Sequence, residues 1–125
     1  MPFRAGKIRW ACGVEWGKDM TEKSVRVVLR TFVEERDWRK FHTQENLAKS
    51  IAIEAGELLE CFQWGATPVS EHVLDELADV LTYCFLLADQ LGIEPEKIIL
   101  DKLARTQAKY PVEKSRSRNT KYDKL

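Results

Sequence analysis

Long apolar runs, charge of one sign and paired cysteines are all missing from this sequence of 125 residues. No apolar stretch approaches the roughly 18 residues that a transmembrane helix needs, so a membrane protein is not predicted. The 20 basic and 20 acidic residues give a formal net charge of zero. A neutral chain lacks the overall electrostatic field that would attract a nucleic acid polymer or an anionic membrane surface. Neither partner is therefore expected.

The cysteines are few and odd in number. Cys12, Cys61 and Cys84 have no spacing that suits zinc, and their pattern is typical of reduced thiols in a cytoplasmic protein. The basic residues near the N-terminus are not followed by a continuous apolar segment, which argues against a signal peptide. We therefore predict a cytoplasmic location and no disulfide framework.

Four segments of the chain carry apolar residues at helical spacing. No alternating pattern indicates a strand, and no internal repeat is present. The chain is long enough for one domain and too short for two, so we predict an all-α fold, a four-helix bundle with short connections. The predicted organisation is an N-terminal extension of unknown function at residues 1–20, a helical domain at 21–111 and a basic tail at 112–125.

The helix boundaries are predicted from caps and breakers. The predicted helices run from about Thr21 to Trp38, Thr43 to Phe62, Ser70 to Leu91, and Pro95 to Lys109. Thr43 and Ser70 are favourable N-caps, and Gly92 suits the position just after a helix end. Residues 80–88 of the third helix contain no charge, so we expect burial on most sides, partly by another subunit. In the fourth helix the residues expected to face inward are Ile98, Ile99, Leu103 and Ala104.

Two pairs of acidic residues share one spacing on successive helices. Glu54 and Glu57 lie three apart on the second helix, and Glu76 and Asp79 lie three apart on the third. Each pair therefore points to one side of its helix, and both pairs border an apolar stripe. If the two helices pack antiparallel, the four carboxylates can converge.

Four converging carboxylates require compensation, because repulsion and desolvation would raise their pKa values. A divalent cation would supply it. All-oxygen ligands select Mg²⁺, Mn²⁺ or Ca²⁺ over Zn²⁺ or Cu²⁺. Mg²⁺ commonly completes its shell with substrate phosphates, so we predict Mg²⁺ with Mn²⁺ as a possible substitute. The alternative is that these acids form an ordinary solvated helix face, which is the commoner meaning of such spacing. A di-iron site is disfavoured, because neither pair contains the histidine of a Glu-x-x-His motif.

Aromatic residues flank the acidic helices and form a candidate nucleobase pocket. The candidate substrate-binding residues are Trp38, His42, Trp64 and Tyr83. Aromatic faces stack on bases, although each of these residues taken alone is more commonly a core or subunit-contact residue. Lys121 and Tyr122, the other candidate substrate-binding residues, lie in a tail that we expect to be disordered. The basic tail is either simply solvated or folds over the phosphates as a lid.

Several motifs together resemble the MazG-like all-α nucleotide pyrophosphohydrolases, and within them the dCTP pyrophosphatase-type branch. E-x-x-E at Glu54–Glu57 and E-x-x-D at Glu76–Asp79 are motifs of the wider family. D-W-x-x-F-H at Asp37–His42 and F-Q-W at Phe62–Trp64 are closer to the branch. The resemblance covers about Val25 to Leu125.

The resemblance implies hydrolysis of a nucleoside triphosphate, dCTP or a related deoxynucleotide, to the monophosphate and pyrophosphate. It implies a role in cleaning the nucleotide pool and assembly as a dimer or tetramer. The implied magnesium ligands are Glu54, Glu57, Glu76 and Asp79, and the implied base and sugar contacts are Trp38, His42, Trp64 and Tyr83. Within that site, Glu54 or Glu57 is the candidate catalytic base that takes a proton from the attacking water.

Four positions depart from the family pattern without touching the predicted metal site. Leu29 stands where the eukaryotic dCTP enzymes have a substrate-contacting histidine, and Thr106 where many relatives have an asparagine near the phosphates. Ser117 replaces a common tail glycine and Gln44 a common proline. Two other functions stay open: a related hydrolase that prefers dUTP or a purine nucleotide, and a non-catalytic nucleotide-binding helical bundle.

Overall fold

The computed structural model of this chain describes residues 22–65 and 70–125, so the predicted extension at residues 1–20 lies outside the described residues. The chain divides into two compact units, Met1–Leu91 and Gly92–Leu125. The first contains helices α1 (Glu22–Glu35), α2 (Gln44–Glu60) and α3 (Glu71–Gln90). The second contains α4 (Pro95–Lys109), the one-turn helix α5 (Val112–Ser115) and a 3₁₀ turn at Tyr122–Lys124. The prediction of an all-α fold with four main helices is confirmed.

The predicted helix caps are present in the structure. The Thr43 hydroxyl accepts a hydrogen bond from the Asn46 amide at 3.1 Å, and the Ser70 hydroxyl accepts one from the Val73 amide at 3.4 Å. Gly92 follows the end of α3 with a φ of 64°, in the left-handed region that favours glycine. These caps fix where the two acid-bearing helices begin and where α3 ends.

Helix α1 ends three residues before the predicted boundary, because Asp37 adopts a left-handed φ of 51°. The Trp38 amide then donates to the Val33 carbonyl at 3.1 Å, and the Asp37 amide to the Glu34 carbonyl at 3.0 Å. These two bonds form a Schellman motif with aspartate in the usual glycine position. Trp38 consequently belongs to the connection and not to the helix.

The first unit is built on α3, which packs against both α2 and α1. Leu47, near the start of α2, and Leu86, near the end of α3, line the same small cavity. Because the later parts of α2 and the earlier parts of α3 also meet, the two helices run antiparallel. Among the described residues, the buried apolar side chains of this unit are Val33, Leu47, Val73 and Ala88.

The second unit departs from two expectations. Ile98, Ile99, Leu103 and Ala104 do not face inward: all four are exposed, and the first three line an open groove with Lys102 and Thr106. Within the second unit, the apolar stripe of α4 is left uncovered. The tail, expected to be disordered, contains α5 and the 3₁₀ turn, and Tyr110 and Tyr122 pack edge to face with ring centroids 6.0 Å apart.

Leu81 and Cys84 are exposed on the uncharged stretch of α3 at residues 80–88. Its expected burial against another subunit therefore stays a prediction. In the described part of the chain, no helix is long and apolar enough to cross a membrane.

Candidate metal centre and adjoining cavity

The antiparallel packing of α2 and α3 brings the predicted carboxylates together. One carboxylate oxygen from each of Glu54, Glu76 and Asp79 lies within 4.8 Å of the other two. The fourth predicted ligand, Glu57, lies close enough to Glu54 and Glu76 to raise the pKa of both carboxyls. The spacing of three places both acids of each pair on one side of their helix, and the packing of α2 against α3 turns these two sides toward each other.

The carboxyl groups of Glu54 and Glu76 each have an oxygen that receives no hydrogen bond from the protein. Both side chains are half-buried, and the Oε2 atom of each is buried without a hydrogen-bond partner. Burial is the main reason that the pKa of each carboxyl is raised, and the neighbouring carboxyl of Glu57 adds to the effect. Orphaned carboxylate oxygens beside further acids fit a hard divalent cation, which would supply the missing positive charge.

His72 and Asp79 complete the surroundings of this cluster. His72 Nδ1 lies 3.4 Å from Glu76 Oε1, and its charge opposes the rise in the pKa of Glu76. Only 13% of the Glu76 side chain is exposed, against 70% for His72. Asp79 is exposed. The cluster is consequently largely buried at Glu76 and exposed at Asp79.

A cavity of about 640 Å³ adjoins the carboxylate cluster. It is lined by Val25, Val28, Leu29, Phe32, Val33, Trp38, His42, Asp79, Thr82, Tyr83 and Leu86. Asp79 belongs to both the cluster and the cavity wall, so a molecule in the cavity would lie next to the candidate metal ligands. The size and largely apolar lining are typical of a small-molecule site.

Three of the predicted substrate-binding residues line this cavity. Trp38, His42 and Tyr83 are among its walls, and Trp38 packs edge to face against both Phe32 at 5.6 Å and His42 at 6.5 Å between ring centroids. These contacts hold the aromatic rings in place. The Schellman turn after α1 is what positions Trp38 to face the cavity.

The other predicted substrate-binding residues are Trp64, Lys121 and Tyr122. Trp64, just beyond α2, is 91% exposed. Lys121 and Tyr122 belong to the second unit, where the Lys109 ammonium lies 4.7 Å from the Tyr122 ring centroid. A role for these three residues in substrate binding stays a prediction.

Phe32 and Thr82 line the cavity without having been predicted as site residues. Phe32 is one of the apolar residues of α1, and it supports Trp38 at the cavity wall. Thr82 follows Asp79 by three positions on the same helix, so it shares a face with a predicted metal ligand. That spacing is the signal by which Thr82 could have been found.

A second, much smaller cavity lies beside the first. Its volume is about 20 Å³, enough for about one water molecule. Val33, His42 and Leu86 line both cavities, and Asp89 lines the smaller one together with Arg30. Arg30 and Asp89 form an ion pair at 2.5 Å that joins α1 to the last turn of α3.

The fold and the site define an all-α protein with a carboxylate cluster suited to a divalent cation beside an aromatic cavity. A model of the MazG-like family matches residues 49–125. The chain belongs to the MazG-like family, as its motifs indicate.

Named relatives come from mammals and from an archaeon. The dCTP pyrophosphatase 1 of Homo sapiens is 31% identical over 144 aligned positions, which cover 100% of this chain and 85% of the human protein. The dCTP pyrophosphatase 1 of Mus musculus is 34% identical, over 84% of this chain and 68% of its own length. A crystal structure of a pyrophosphatase from Archaeoglobus fulgidus matches with a TM-score of 0.64 and 39% identity, over 71% of this chain and 91% of that one. The chain is thus a MazG-like pyrophosphatase relative.

Proposed function

We propose that this chain hydrolyses dCTP, or a related deoxynucleoside triphosphate, to the monophosphate and pyrophosphate in a Mg²⁺-dependent reaction. The observation that carries the proposal is the convergence of Glu54, Glu76 and Asp79 at one end of an aromatic cavity. The relatives named dCTP pyrophosphatase 1 support the choice of nucleotide. Removal of non-standard nucleotides from the cytoplasmic pool is the cellular role that fits this reaction.

In this proposal, Glu54, Glu57, Glu76 and Asp79 hold Mg²⁺, with Mn²⁺ as a substitute. Bound magnesium supplies positive charge to the phosphates and assists the deprotonation of water. The orphaned Oε2 atoms of Glu54 and Glu76 support direct ligation by these two residues. Asp79 lies between the cluster and the cavity, so it orients the phosphate end of the substrate toward the other carboxylates.

Glu57 is the stronger candidate for the group that accepts a proton from the attacking water. Its side chain is exposed, whereas the buried oxygen of Glu54 is better suited to ligation. A general base needs access to the water that it deprotonates, and an exposed carboxylate at the edge of the cluster has that access. Glu54 is the other candidate, because it lies on the same face of α2.

The nucleoside occupies the aromatic cavity in this proposal. Trp38 and Tyr83 enclose the base by stacking, and His42 supplies a polar edge. In this proposal Trp64, Lys121 and Tyr122 also contact the nucleotide. A homodimer or homotetramer is part of the proposal, since exposed apolar side chains remain on α3 and α4.

The test is release of pyrophosphate and monophosphate from each common dNTP and NTP, with Mg²⁺ and with EDTA. We expect release that depends on Mg²⁺ and is strongest with dCTP. Faster release from dUTP or a purine nucleotide would retain the chemistry and reject the proposed substrate. If no nucleotide is hydrolysed, the chain is a non-catalytic nucleotide-binding bundle and the proposal fails.

A further inference from the structure

The large cavity has two distinguishable ends along α3. Asp79 marks the end at the carboxylate cluster. Leu86 and His42 mark the opposite end, because they also line the small cavity beside the Arg30–Asp89 ion pair. Asp79 and Leu86 are separated by about 10.5 Å along the helix axis, given a rise of 1.5 Å per residue.

Thr82 lies between these ends, about 4.5 Å along the axis from Asp79. In a nucleotide, the α-phosphorus connects through O5′ and C5′ to the sugar, and the base lies beyond the sugar. When the phosphates are at the carboxylate cluster, the sugar therefore lies at the level of Thr82. The base then lies near Trp38 and His42, at the other end of the cavity.

The Thr82 hydroxyl can accept a hydrogen bond but has no proton left to donate. Its one hydrogen is used in a bond to the Ala78 carbonyl at 2.8 Å. The oxygen keeps acceptor capacity, so it needs a ligand group that donates. Phosphate oxygens that are ionised only accept, whereas a sugar hydroxyl both donates and accepts.

The facing wall of the cavity, on α1, is apolar in the part of the chain that the structure describes. That wall consists of Val25, Val28, Leu29, Phe32 and Val33. A sugar hydroxyl buried against such a surface would lose its hydrogen bonds to water without replacement. Among the described lining residues, Thr82 and Tyr83 lie at this level on α3, and the Thr82 oxygen has the acceptor capacity to replace one of these bonds.

We propose that Thr82 Oγ1 accepts a hydrogen bond from a sugar hydroxyl of the bound nucleotide, which makes Thr82 a specificity-determining residue. The proposal rests on the proposed function, because it requires phosphates at the carboxylate cluster. It gives Thr82 no part in bond cleavage. Its effect is on the choice among nucleotides that differ only in the sugar.

The test is a cycle that combines the Thr82→Val variant with substrates that lack one sugar hydroxyl. kcat/KM is measured for CTP, dCTP and 2′,3′-dideoxy-CTP with the wild-type chain and the variant. We expect the wild type to lose about 3- to 10-fold in kcat/KM when the recognised hydroxyl is removed, the effect of one net hydrogen bond. The variant removes the acceptor with little change in side-chain volume, so this discrimination should disappear.

The substrate pair that shows the loss identifies the hydroxyl. A loss between dCTP and the dideoxynucleotide assigns the contact to the 3′-hydroxyl, and a loss between CTP and dCTP assigns it to the 2′-hydroxyl. Thr82→Ser retains the acceptor and should retain the discrimination. Thr31→Val is the matched control, because the Thr31 hydroxyl makes the same kind of bond, to the Val27 carbonyl at 3.1 Å, but does not line the cavity.

The proposal is overturned if Thr82→Val discriminates among the three substrates as the wild type does, or if the wild type shows no discrimination. Calorimetric binding of CMP, dCMP and 2′,3′-dideoxy-CMP gives the same comparison without turnover. Absence of hydrolysis by the wild type would reject the proposed function, while hydroxyl-dependent binding that Thr82→Val abolishes would still support the Thr82 contact.

Discussion

At the residue scale, Glu57 is the carboxylate whose substitution should change turnover with the least change in stability. It is exposed beside Glu54 and Glu76. We expect Glu57→Ala to lower kcat by at least about 100-fold, the usual contribution of a general base. Thermal unfolding and far-UV circular dichroism should change little, because an exposed side chain contributes little to stability.

Glu60→Ala is the matched control for this substitution. Glu60 is exposed on the same helix, three positions farther along the chain and away from the carboxylate cluster. It should retain wild-type kcat. Wild-type turnover in Glu57→Ala would remove Glu57 from the site.

Glu76 should affect stability in opposite directions with and without magnesium. Its buried Oε2 atom has no hydrogen-bond partner, so in metal-free protein near neutral pH the charge opposes folding. We expect Glu76→Gln to raise the Tm in EDTA. In the wild type, Mg²⁺ at about 100 times its Kd should add roughly 2.7 kcal/mol to the free energy of unfolding.

Differential scanning fluorimetry with MgCl₂, and with NaCl at equal ionic strength, measures both effects of the Glu76 substitution. The gain from magnesium should be much smaller in Glu76→Gln. An equal gain in variant and wild type would show that Glu76 is not a ligand.

The Arg30–Asp89 ion pair should make stability depend on acid pH. The hydrogen bond from Arg30 and its charge lower the pKa of Asp89 in the folded state. Because the folded pKa lies below the unfolded one, the stabilisation is present above the unfolded pKa and is lost as the pH falls through the folded pKa. The loss therefore occurs below about pH 4, where free aspartate also titrates.

We expect Asp89→Asn to lower the Tm by a few degrees at pH 7, and the gap from wild type to close as the pH falls below 4. Asp101→Asn is the comparison, since it breaks the exposed Lys97–Asp101 pair within one helix, and it should have a smaller effect. A gap in Tm that stays constant from pH 7 to pH 3 would contradict the ion-pair explanation.

Prediction from the sequence succeeds where residue spacing limits the possible geometry. Acids three apart share one side of their helix, and the packing of α2 against α3 brings Glu54, Glu76 and Asp79 together. Prediction fails for Phe32, whose apolar character is equally compatible with the core and with a cavity wall. The difference depends on which neighbouring surface is left uncovered, and that is a property of the packed helices.

At the element scale, the beginning of α3 depends on a single cap that can be removed. The Ser70 hydroxyl accepts from the Val73 amide, and α3 carries two of the predicted metal ligands. We expect Ser70→Ala to lower the free energy of unfolding by about 1 kcal/mol. Ser70→Asp should retain most of that stability, because aspartate is an equally good cap.

Urea unfolding followed by circular dichroism measures the effect of the cap. The midpoint should shift and the slope should stay constant, since the surface exposed on unfolding is unchanged. Equal midpoints for Ser70→Ala and wild type would show that the cap does not contribute.

Helix boundaries are predictable here when a residue with one clear structural preference sets them. Thr43, Ser70 and Gly92 do so, and the corresponding ends agree with the structure. The end of α1 is not predictable in the same way, because Asp37 takes a left-handed conformation that glycine normally provides. The tail is another case: its basic composition predicts disorder, but the chain there forms α5 and a 3₁₀ turn, and Tyr122 contacts Tyr110.

At the scale of the whole molecule, apolar patterning predicts which residues avoid water but not what covers them. The stripe on α4 was expected to face the core, yet Ile99 is 60% exposed. A periodic stripe gives the same signal for a core face and for a subunit contact. The composition of the chain cannot separate these two outcomes, because both bury the same kinds of side chain.

The uncharged stretch at residues 80–88 gives the strongest reason to expect an oligomer. Leu81 is 49% exposed in a helix segment without charge, where a second copy of the chain would gain stability by covering it. We expect sedimentation velocity to show a dimer or tetramer at micromolar concentration, and Leu81→Glu to shift it toward the monomer. The glutamate would be buried without a partner in the assembled state but solvated in the monomer. The control is Asp75→Lys, which changes an exposed polar position of the same helix and should leave the assembly intact. If the Leu81→Glu variant sediments as the wild type does, this face of α3 is not the interface.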